Sequence, residues 1–186
     1  MSLPRTLILG GARSGKSTRA EQLLGGQPDV LYVATGGTRD GDAEWAQRVA
    51  LHRERRPAGW RTAETCDLET VLADRDDPAP VLVDCLALWL TWVMDEHGAW
   101  DDARWAAGGE RAVQERCTAL ARAWQHTGRQ VVAVSNEVGM GVVPATAAGR
   151  RFRDTLGRLN MAVAEASERV LLVVAGQVLT IKPAAV

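Results

Sequence analysis

The chain has 186 residues, enough for one domain that buries roughly 70% of the surface its unfolded form would expose. Its 22 lysine and arginine residues nearly balance 23 aspartate and glutamate residues, so the net charge of -1 gives no electrostatic argument for nucleic acid or an anionic membrane. The three cysteines form no C-x-x-C pair, which argues against a disulfide framework or a zinc site and favours a cytoplasmic protein. No window approaches about 18 consecutive apolar residues, so we expect no membrane insertion.

Six runs predict β-strands, and the nearly continuous apolar character of the first five is typical of strands covered on both faces. They are Arg5–Leu9, Val30–Thr35, Val81–Asp84, Val131–Ser135, Val170–Ala175 and Val178–Lys182. Stop signals between the strands predict helices over Ser17–Leu24, Asp42–Arg56, Leu86–His97 and Ala147–Glu168, with a division at Gly108 and Gly109.

The order of these elements predicts the fold class. Alternating strands and helices are typical of an α/β protein with a mostly parallel sheet and helices on both faces. The last strand follows its predecessor after only Gly176 and Gln177, which indicates a hairpin and hence an antiparallel edge strand at the C-terminus. We expect residues 1–186 to form a single catalytic domain.

A phosphate-binding loop is the most specific motif. Residues 10–17, GGARSGKS, match G-x-x-x-x-G-K-[ST] directly after the first predicted strand. In such loops backbone N–H groups and the next helix N-terminus surround a phosphate, the lysine neutralises the β- and γ-phosphates, and the final hydroxyl holds Mg²⁺. The predicted nucleotide-binding residues are therefore Gly10, Gly11, Ala12, Arg13, Ser14, Gly15, Lys16 and Ser17.

Asp84 ends the apolar run that begins at Val81, so it is expected at the carboxyl edge of a buried strand, where α/β sheets bind ligands. There it could complete a Mg²⁺ site with Ser17, because a phosphate loop needs a carboxylate opposite it. The alternative is an ordinary solvated or helix-capping aspartate.

A basic segment, RVALHRERR, places four arginines and His52 within residues 48–56. Bidentate guanidinium groups suit a triphosphate. From spacing alone, a solvated basic helix face with a surface histidine is the competing interpretation.

The segment SNEVGMGVVP, residues 135–144, follows a predicted strand and carries Asn136 and Glu137. Its position on the ligand edge of the sheet indicates a substrate loop. A purely structural glycine-rich turn is the alternative.

Together these segments resemble the bifunctional adenosylcobinamide kinase/adenosylcobinamide-phosphate guanylyltransferase family of cobalamin biosynthesis. The resemblance rests on six motifs in order: GGARSGKS, YVAT, HRERRPAGWRTAE, LVDCLALWLT, SNEVGMGVVP and RRFRDTLGRLN. The first motif occurs in many nucleotide enzymes, whereas the histidine segment and SNEVGMGVVP are close to specific for this family.

The resemblance implies two reactions and assigns residues to them. ATP or GTP would phosphorylate adenosylcobinamide, with Lys16 and Asp84 in the catalytic site, and GTP would then donate GMP to adenosylcobinamide phosphate through a covalent GMP-histidine at His52. A neutral imidazole is a competent nucleophile near neutral pH. The implied nucleotide contacts beyond the loop are Ala34, Thr35, Gly36, Arg53, Glu54, Arg55, Arg56, Glu64 and Asp84.

The resemblance further implies a RecA-like phosphate-loop NTPase fold and a homotrimer, with Trp89 and Trp92 as exposed residues available for subunit contacts. Asp84 and Glu137 are both candidate general bases. Two other functions remain open: a monofunctional phosphate-loop kinase of a small metabolite, and a nucleotide-binding switch or motor. The chain lacks the N-K-x-D motif of GTPase switches, which counts against the switch.

Overall fold

The computed structural model describes residues 5–37, 41, 43, 47, 49–50 and 56–183. Within these residues one sheet contains seven strands, in the spatial order β3-β2-β4-β5-β1-β6-β7. The strands are β1 (Arg5–Gly10), β2 (Leu31–Ala34), β3 (Arg61–Glu64), β4 (Val81–Asp84), β5 (Val131–Asn136), β6 (Arg169–Val174) and β7 (Gln177–Lys182). Every neighbouring pair is parallel except β6 and β7. The predicted mostly parallel sheet with an antiparallel C-terminal edge is confirmed.

The helices are α1 (Lys16–Leu24), α2 (Leu68–Ala73), α3 (Leu86–Glu96), α4 (Glu110–His126) and α5 (Ala147–Glu165). A single turn, Asp102–Arg104, and a π-helical turn, Trp105–Gly109, precede α4, and Gly108 interrupts them with a φ of 128°, at the predicted division. In the sheet, the crossover from β1 through α1 to β2 runs in one direction, and the crossover from β5 through α5 to β6 runs in the opposite direction. Because crossovers are right-handed, α1 and α5 lie on opposite faces of the sheet. No helix of the described residues is long and apolar enough to cross a membrane.

Among the described residues β3, α2 and α4 were absent from the prediction, which had only the division at Gly108 and Gly109 before α4. The sequence of β3, RTAE, has no apolar run because this edge strand is largely exposed and is held by its pairing with β2. Helix α2 has only six residues, too few to show a clear helical period. The helix predicted over residues 42–56 lies mostly outside the described residues, and the single-domain assignment remains a prediction.

The core contains the apolar residues of the central strands together with the large side chains of α3. Trp89 is completely buried, and its indole Nε1 donates to the backbone oxygen of Cys66 at 2.9 Å. The expectation that Trp89 is exposed was therefore wrong. Helix α3 is apolar on nearly all sides because α4 and α5 pack on it. Trp92 is half-buried, with the Arg116 guanidinium 5.5 Å from its ring.

At the opposite edge of the sheet from the phosphate loop, Arg129 and Arg61 hold the connection between α2 and β4. The buried guanidinium of Arg129 donates to the oxygen of Ala79 at 2.7 Å and lies 3.0 Å from the Asp77 carboxylate. Arg61 also bonds Asp77 at 3.0 Å and bridges it to Asp29. These bonds fix the chain immediately before β4, the strand that ends at Asp84.

The Asp77 carboxylate predicts a pH-dependent contribution to stability. Hydrogen bonds from Arg61, with further help from the Ala79 amide and Arg129, hold the pKa of Asp77 at about 2, below its ordinary value of 3.8. Because the folded pKa is the lower one, the stabilisation is present above pH 3.8 and is lost as the pH falls towards about 2. Denaturant unfolding should show the wild type losing its advantage over Asp77→Asn across that range. A constant difference between the two proteins would contradict this assignment.

Candidate active site

The phosphate loop joins the end of β1 to the start of α1, and two of its glycines, Gly10 and Gly15, are required by close packing and by backbone conformation. A Cβ on Gly10 would lie 2.6 Å from the backbone oxygen of Val173, so no larger residue fits there. Gly15 has a φ of 95°, in the left-handed region that favours glycine. The loop is tied to the hairpin between β6 and β7, because the amide of Gly176 donates to the oxygen of Ser14 at 2.9 Å.

The first turn of α1 is free of side-chain caps. Gly15 occupies the N-cap position and has no side chain to accept from the first-turn amides. Such amides, together with the helix dipole, form an anion-binding site. The Nζ of Lys16 donates to the oxygen of Gly11 at 3.2 Å, which keeps the ammonium group folded over the loop. The local geometry is therefore suited to a phosphate group.

A cavity of about 410 Å³ opens beside this loop at the carboxyl edge of the sheet. Its volume lies in the range of small-molecule sites. Predicted site residues that line it are Ala12, Arg13, Lys16, Ser17, Ala34, Gly36, Arg56, Glu64, Asp84 and Asn136. Side chains that line it without having been predicted as site residues include Tyr32, Thr62, Leu88, Thr91 and Phe152. The residues named here come from six separate segments of the chain.

Asp84 ends β4, and its carboxylate is held by Tyr32 in the adjacent strand. Tyr32 pairs with Leu82, so Asp84, two residues further along β4, projects from the same face of the sheet. The hydroxyl of Tyr32 donates to Oδ2 of Asp84 at 2.7 Å. Burial, strengthened by the nearby charge of Asp84, raises the pKa of Tyr32 well above its usual range, so the hydroxyl stays protonated.

Thr35 lies behind the cavity rather than on its wall. It is buried, and its hydroxyl donates to the oxygen of Cys85 at 2.7 Å and accepts from the Cys85 amide at 2.9 Å. These two bonds fix the chain immediately after Asp84. Burial raises the pKa of Cys85 to about 12, so this thiol on the cavity wall is neutral and is a poor nucleophile.

Arg56 lies over the ring of Tyr32. Its guanidinium carbon is 3.3 Å from the ring centroid, and its Nη1 donates to the hydroxyl of Thr62 at 3.0 Å. Thr62 pairs with Tyr32 across β3 and β2, so both side chains face the same side of the sheet. Glu64, at the end of β3, also lines the cavity. The described part of the basic segment thus reaches the same cavity as the phosphate loop.

Asn136, the last residue of β5, lines the cavity. The buried side chain of Asn160 in α5 accepts from the Ser135 hydroxyl at 2.6 Å and donates to the Asn136 oxygen at 3.0 Å. Glu137 is not among the residues that line the cavity. Its amide donates to the Gly10 oxygen, and its carboxylate accepts from the Gly139 amide at 2.6 Å. Of the two residues of the predicted substrate loop, Asn136 lines the cavity and Glu137 does not.

His52, Arg53, Glu54 and Arg55 lie outside the described residues, so their predicted roles remain predictions. Ser17 and Asp84 supply a hydroxyl and a carboxylate to one cavity. These hard oxygen donors fit Mg²⁺, which typically binds one or two protein groups together with substrate phosphates. The arrangement is therefore chemically suited to holding a nucleoside triphosphate with its metal ion.

Comparison with known proteins identifies the family. The model of the cobinamide kinase / cobinamide phosphate guanyltransferase family matches residues 6–181. The chain belongs to this family. It is 42% identical over 174 residues to the bifunctional adenosylcobalamin biosynthesis protein CobU of Salmonella typhimurium, covering 91% of this chain and 95% of that protein. It is also 42% identical over 181 residues to CobP of Pseudomonas aeruginosa, covering 96% and 97%.

Solved structures support the fold. An ATPase of a bacterial type III secretion system aligns with a TM-score of 0.54 and 14% identity, over 91% of this chain and 50% of that protein. At this identity the likeness concerns the architecture alone, and it agrees with the phosphate-loop NTPase fold predicted from the sequence. In this cobinamide kinase family member the sheet carries the phosphate loop at its carboxyl edge.

Some cavity residues of this family member could have been recognised from sequence. Tyr32 begins the YVAT motif and is two residues from Ala34, so strand alternation places both on one face. Phe152 begins the apolar stripe of α5, whose later members Leu156 and Leu159 are buried in the core. Phe152 itself is half-buried and lines the cavity. The position of Thr62 depends on the register of a strand that the sequence did not predict.

Proposed function

We propose that this chain phosphorylates adenosylcobinamide with ATP or GTP and then transfers GMP from GTP to the product. The products of the second step would be adenosylcobinamide-GDP and pyrophosphate. The observation that carries the proposal is the single cavity shared by the phosphate loop, Asp84 and Asn136, in a chain that belongs to the cobinamide kinase / cobinamide phosphate guanyltransferase family.

In the kinase step the phosphate loop and the amides of α1 bind the triphosphate, and Lys16 neutralises its terminal phosphates. Ser17 and Asp84 would hold Mg²⁺, which supplies charge neutralisation at the β- and γ-phosphates when bound. The acceptor hydroxyl attacks the γ-phosphorus, and the bond to the β-γ bridging oxygen breaks. Asn136, Leu88 and Phe152 line the remaining wall of the cavity and are proposed to direct the acceptor arm towards that phosphorus.

Of the two candidate bases, Asp84 lines the cavity, whereas Glu137 bonds back onto its own loop. We therefore propose Asp84 as the group that receives the proton of the acceptor hydroxyl, directly or through water. The substrate-loop role of Glu137 is to fix the turn that presents Asn136.

In the guanylyl step an imidazole nitrogen of His52 attacks the α-phosphorus of GTP and pyrophosphate leaves. A phosphate oxygen of adenosylcobinamide phosphate then attacks the same phosphorus, and the phosphorus–nitrogen bond breaks. Arg53, Glu54, Arg55 and Arg56 are proposed to accompany His52 at the nucleotide, with the arginines offsetting the charge that develops on the leaving group. Arg56 lines the cavity four residues after His52, which supports this assignment.

Radioactive labelling tests both halves of the proposal. The protein is incubated with GTP labelled at the α-phosphate and, separately, at the γ-phosphate, with and without adenosylcobinamide. We expect acid-labile α-label on the protein and γ-label on adenosylcobinamide, because phosphorus–nitrogen bonds hydrolyse in acid. γ-Label on the corrinoid without α-label on the protein would favour the monofunctional kinase. No transfer to adenosylcobinamide from γ-labelled GTP, nor from γ-labelled ATP in a parallel incubation, would refute the proposed substrate.

We also propose that the chain forms a homotrimer and works in the cytoplasm. Exposed apolar side chains on the hairpin of β6 and β7 support a subunit contact there: Val174, Val178, Leu179 and Ile181. Light scattering should give three times the chain mass of 20.1 kDa, and a monomer would refute the assembly. The three cysteines are all unpaired thiols, in keeping with a reducing compartment.

A further inference from the structure

Tyr32 contacts both halves of the proposed site. Its hydroxyl bonds Asp84, which belongs to the phosphate-loop half, and its ring lies under Arg56, which belongs to the basic segment. Tyr32 is only 3% exposed and is fixed between Thr62 and Leu82 in the neighbouring strands. A buried side chain in the middle of a three-strand array has little freedom to move.

We propose that Tyr32 is a positioning residue that orients the Asp84 carboxylate and seats Arg56, and thereby fixes the two halves of the site relative to each other. This inference rests on the proposed function, since it gives Asp84 a metal-binding role and Arg56 a role in guanylyl transfer. It adds a residue and a physical connection that neither half requires by itself.

The first part concerns the orientation of a carboxylate. A carboxylate at the end of a strand can rotate about its terminal torsion, which is broad and poorly defined by sterics alone. The 2.7 Å bond from the Tyr32 hydroxyl to Oδ2 fixes this rotation. Hydrogen bonds to metal-binding carboxylates orient them, and loss of such a partner typically weakens metal binding about tenfold or more.

The second part concerns the location of a guanidinium group. Arg56 is held by cation–π contact with Tyr32 and by the 3.0 Å bond from its Nη1 to the Thr62 hydroxyl. Both contacts come from side chains that stand next to each other on β2 and β3. Arg56 is the last residue of the basic segment, and these contacts hold its guanidinium group at the cavity.

Two substitutions separate these roles. Tyr32→Phe removes the hydroxyl and keeps the ring under Arg56. Thr62→Val removes the bond to Arg56 and leaves the Tyr32–Asp84 bond intact, at an exposed position on an edge strand where the fold tolerates the change. Each variant is therefore a control for the other, and thermal unfolding of both checks that the fold is preserved.

The first measurement is the gain in nucleotide affinity that Mg²⁺ provides, obtained by calorimetric titration with ATP or GTP in EDTA and in Mg²⁺. We expect Tyr32→Phe to reduce this gain about tenfold, with the affinity in EDTA unchanged. Thr62→Val should keep the wild-type gain. A wild-type gain in a folded Tyr32→Phe protein would overturn the role of the hydroxyl.

The second measurement is the rate of protein labelling by α-labelled GTP at saturating Mg²⁺, divided by the rate of the kinase step. Thr62→Val should lower this ratio about fivefold, the effect of one hydrogen bond, whereas Tyr32→Phe should not lower it, because the ring stays under Arg56. An unchanged ratio in Thr62→Val would overturn the seating of Arg56. If the wild type acquires no label, guanylyl transfer itself is refuted, and the Mg²⁺ titration alone decides the role of Tyr32.

Discussion

Replacing His52 by alanine should abolish guanylyl transfer while phosphorylation of adenosylcobinamide continues. The reason is that His52 is the proposed nucleophile towards the α-phosphorus, whereas the kinase step uses the acceptor hydroxyl and the phosphate loop. Removal of a covalent nucleophile typically costs more than about a thousandfold in rate. Acid-labile α-label should therefore fall to background in His52→Ala, and adenosylcobinamide phosphate should accumulate without conversion to the GDP product.

His126 offers a matched control for this experiment. It lies exposed at the last turn of α4, where its Nδ1 is 2.8 Å from the Arg122 oxygen, and it is not among the cavity-lining residues. His126→Ala should keep full α-label. Loss of label in His126→Ala, or full label in His52→Ala, would transfer the nucleophile assignment away from His52.

Much of the fold could be predicted because the central strands are buried on both faces. Two of these strands, Val81–Asp84 and Val131–Asn136, are nearly continuous in apolar residues. Such short apolar runs are typical of strands in a parallel sheet that is covered on both faces. The edge strand β3 could not be predicted, since its sequence is polar and its strand conformation depends on hydrogen bonds from β2. The sequence of β3 alone does not indicate that it pairs with β2.

The wrong prediction that Trp89 is exposed shows a similar limit of sequence analysis. A tryptophan in an apolar helix can face the sheet, a second helix layer or a neighbouring subunit, and the periodicity of α3 does not distinguish these. Helix α3 packs on β5, α4 and α5, which come from distant parts of the chain. Its indole N–H finds a partner in Cys66, which the sequence gives no reason to pair with it.

The site residues likewise fall into those that the sequence predicts and those that it does not. The phosphate loop and Asp84 could be recognised because a local pattern, a strand followed by a loop or an acid, places them at the carboxyl edge. The arrangement of Tyr32, Thr62 and Arg56 could not, because it depends on the register of three strands and on where Arg56 lies over them. The relative positions of these three residues are determined by tertiary contacts.

Arg129→Met should destabilise the fold by about 3 kcal/mol, the lower end of the cost of breaking a buried ion pair. The substitution keeps an apolar side chain of similar length but leaves the oxygens of Ala79 and Val71 without their guanidinium donor. Asp77 keeps Arg61 as a partner, which is why the cost lies at the lower end. Urea unfolding should show a lower midpoint with an unchanged slope.

Substitution of an exposed arginine tests whether the destabilisation by Arg129→Met is caused by the burial of Arg129. Arg122 lies on the surface of α4, so Arg122→Met should change the free energy of unfolding by no more than about 0.5 kcal/mol. Equal effects of the two substitutions would show that the buried network around Arg129 contributes nothing specific. A large effect confined to Arg129→Met would mean that one buried guanidinium, at the opposite edge of the sheet from the phosphate loop, stabilises the connection that leads into β4.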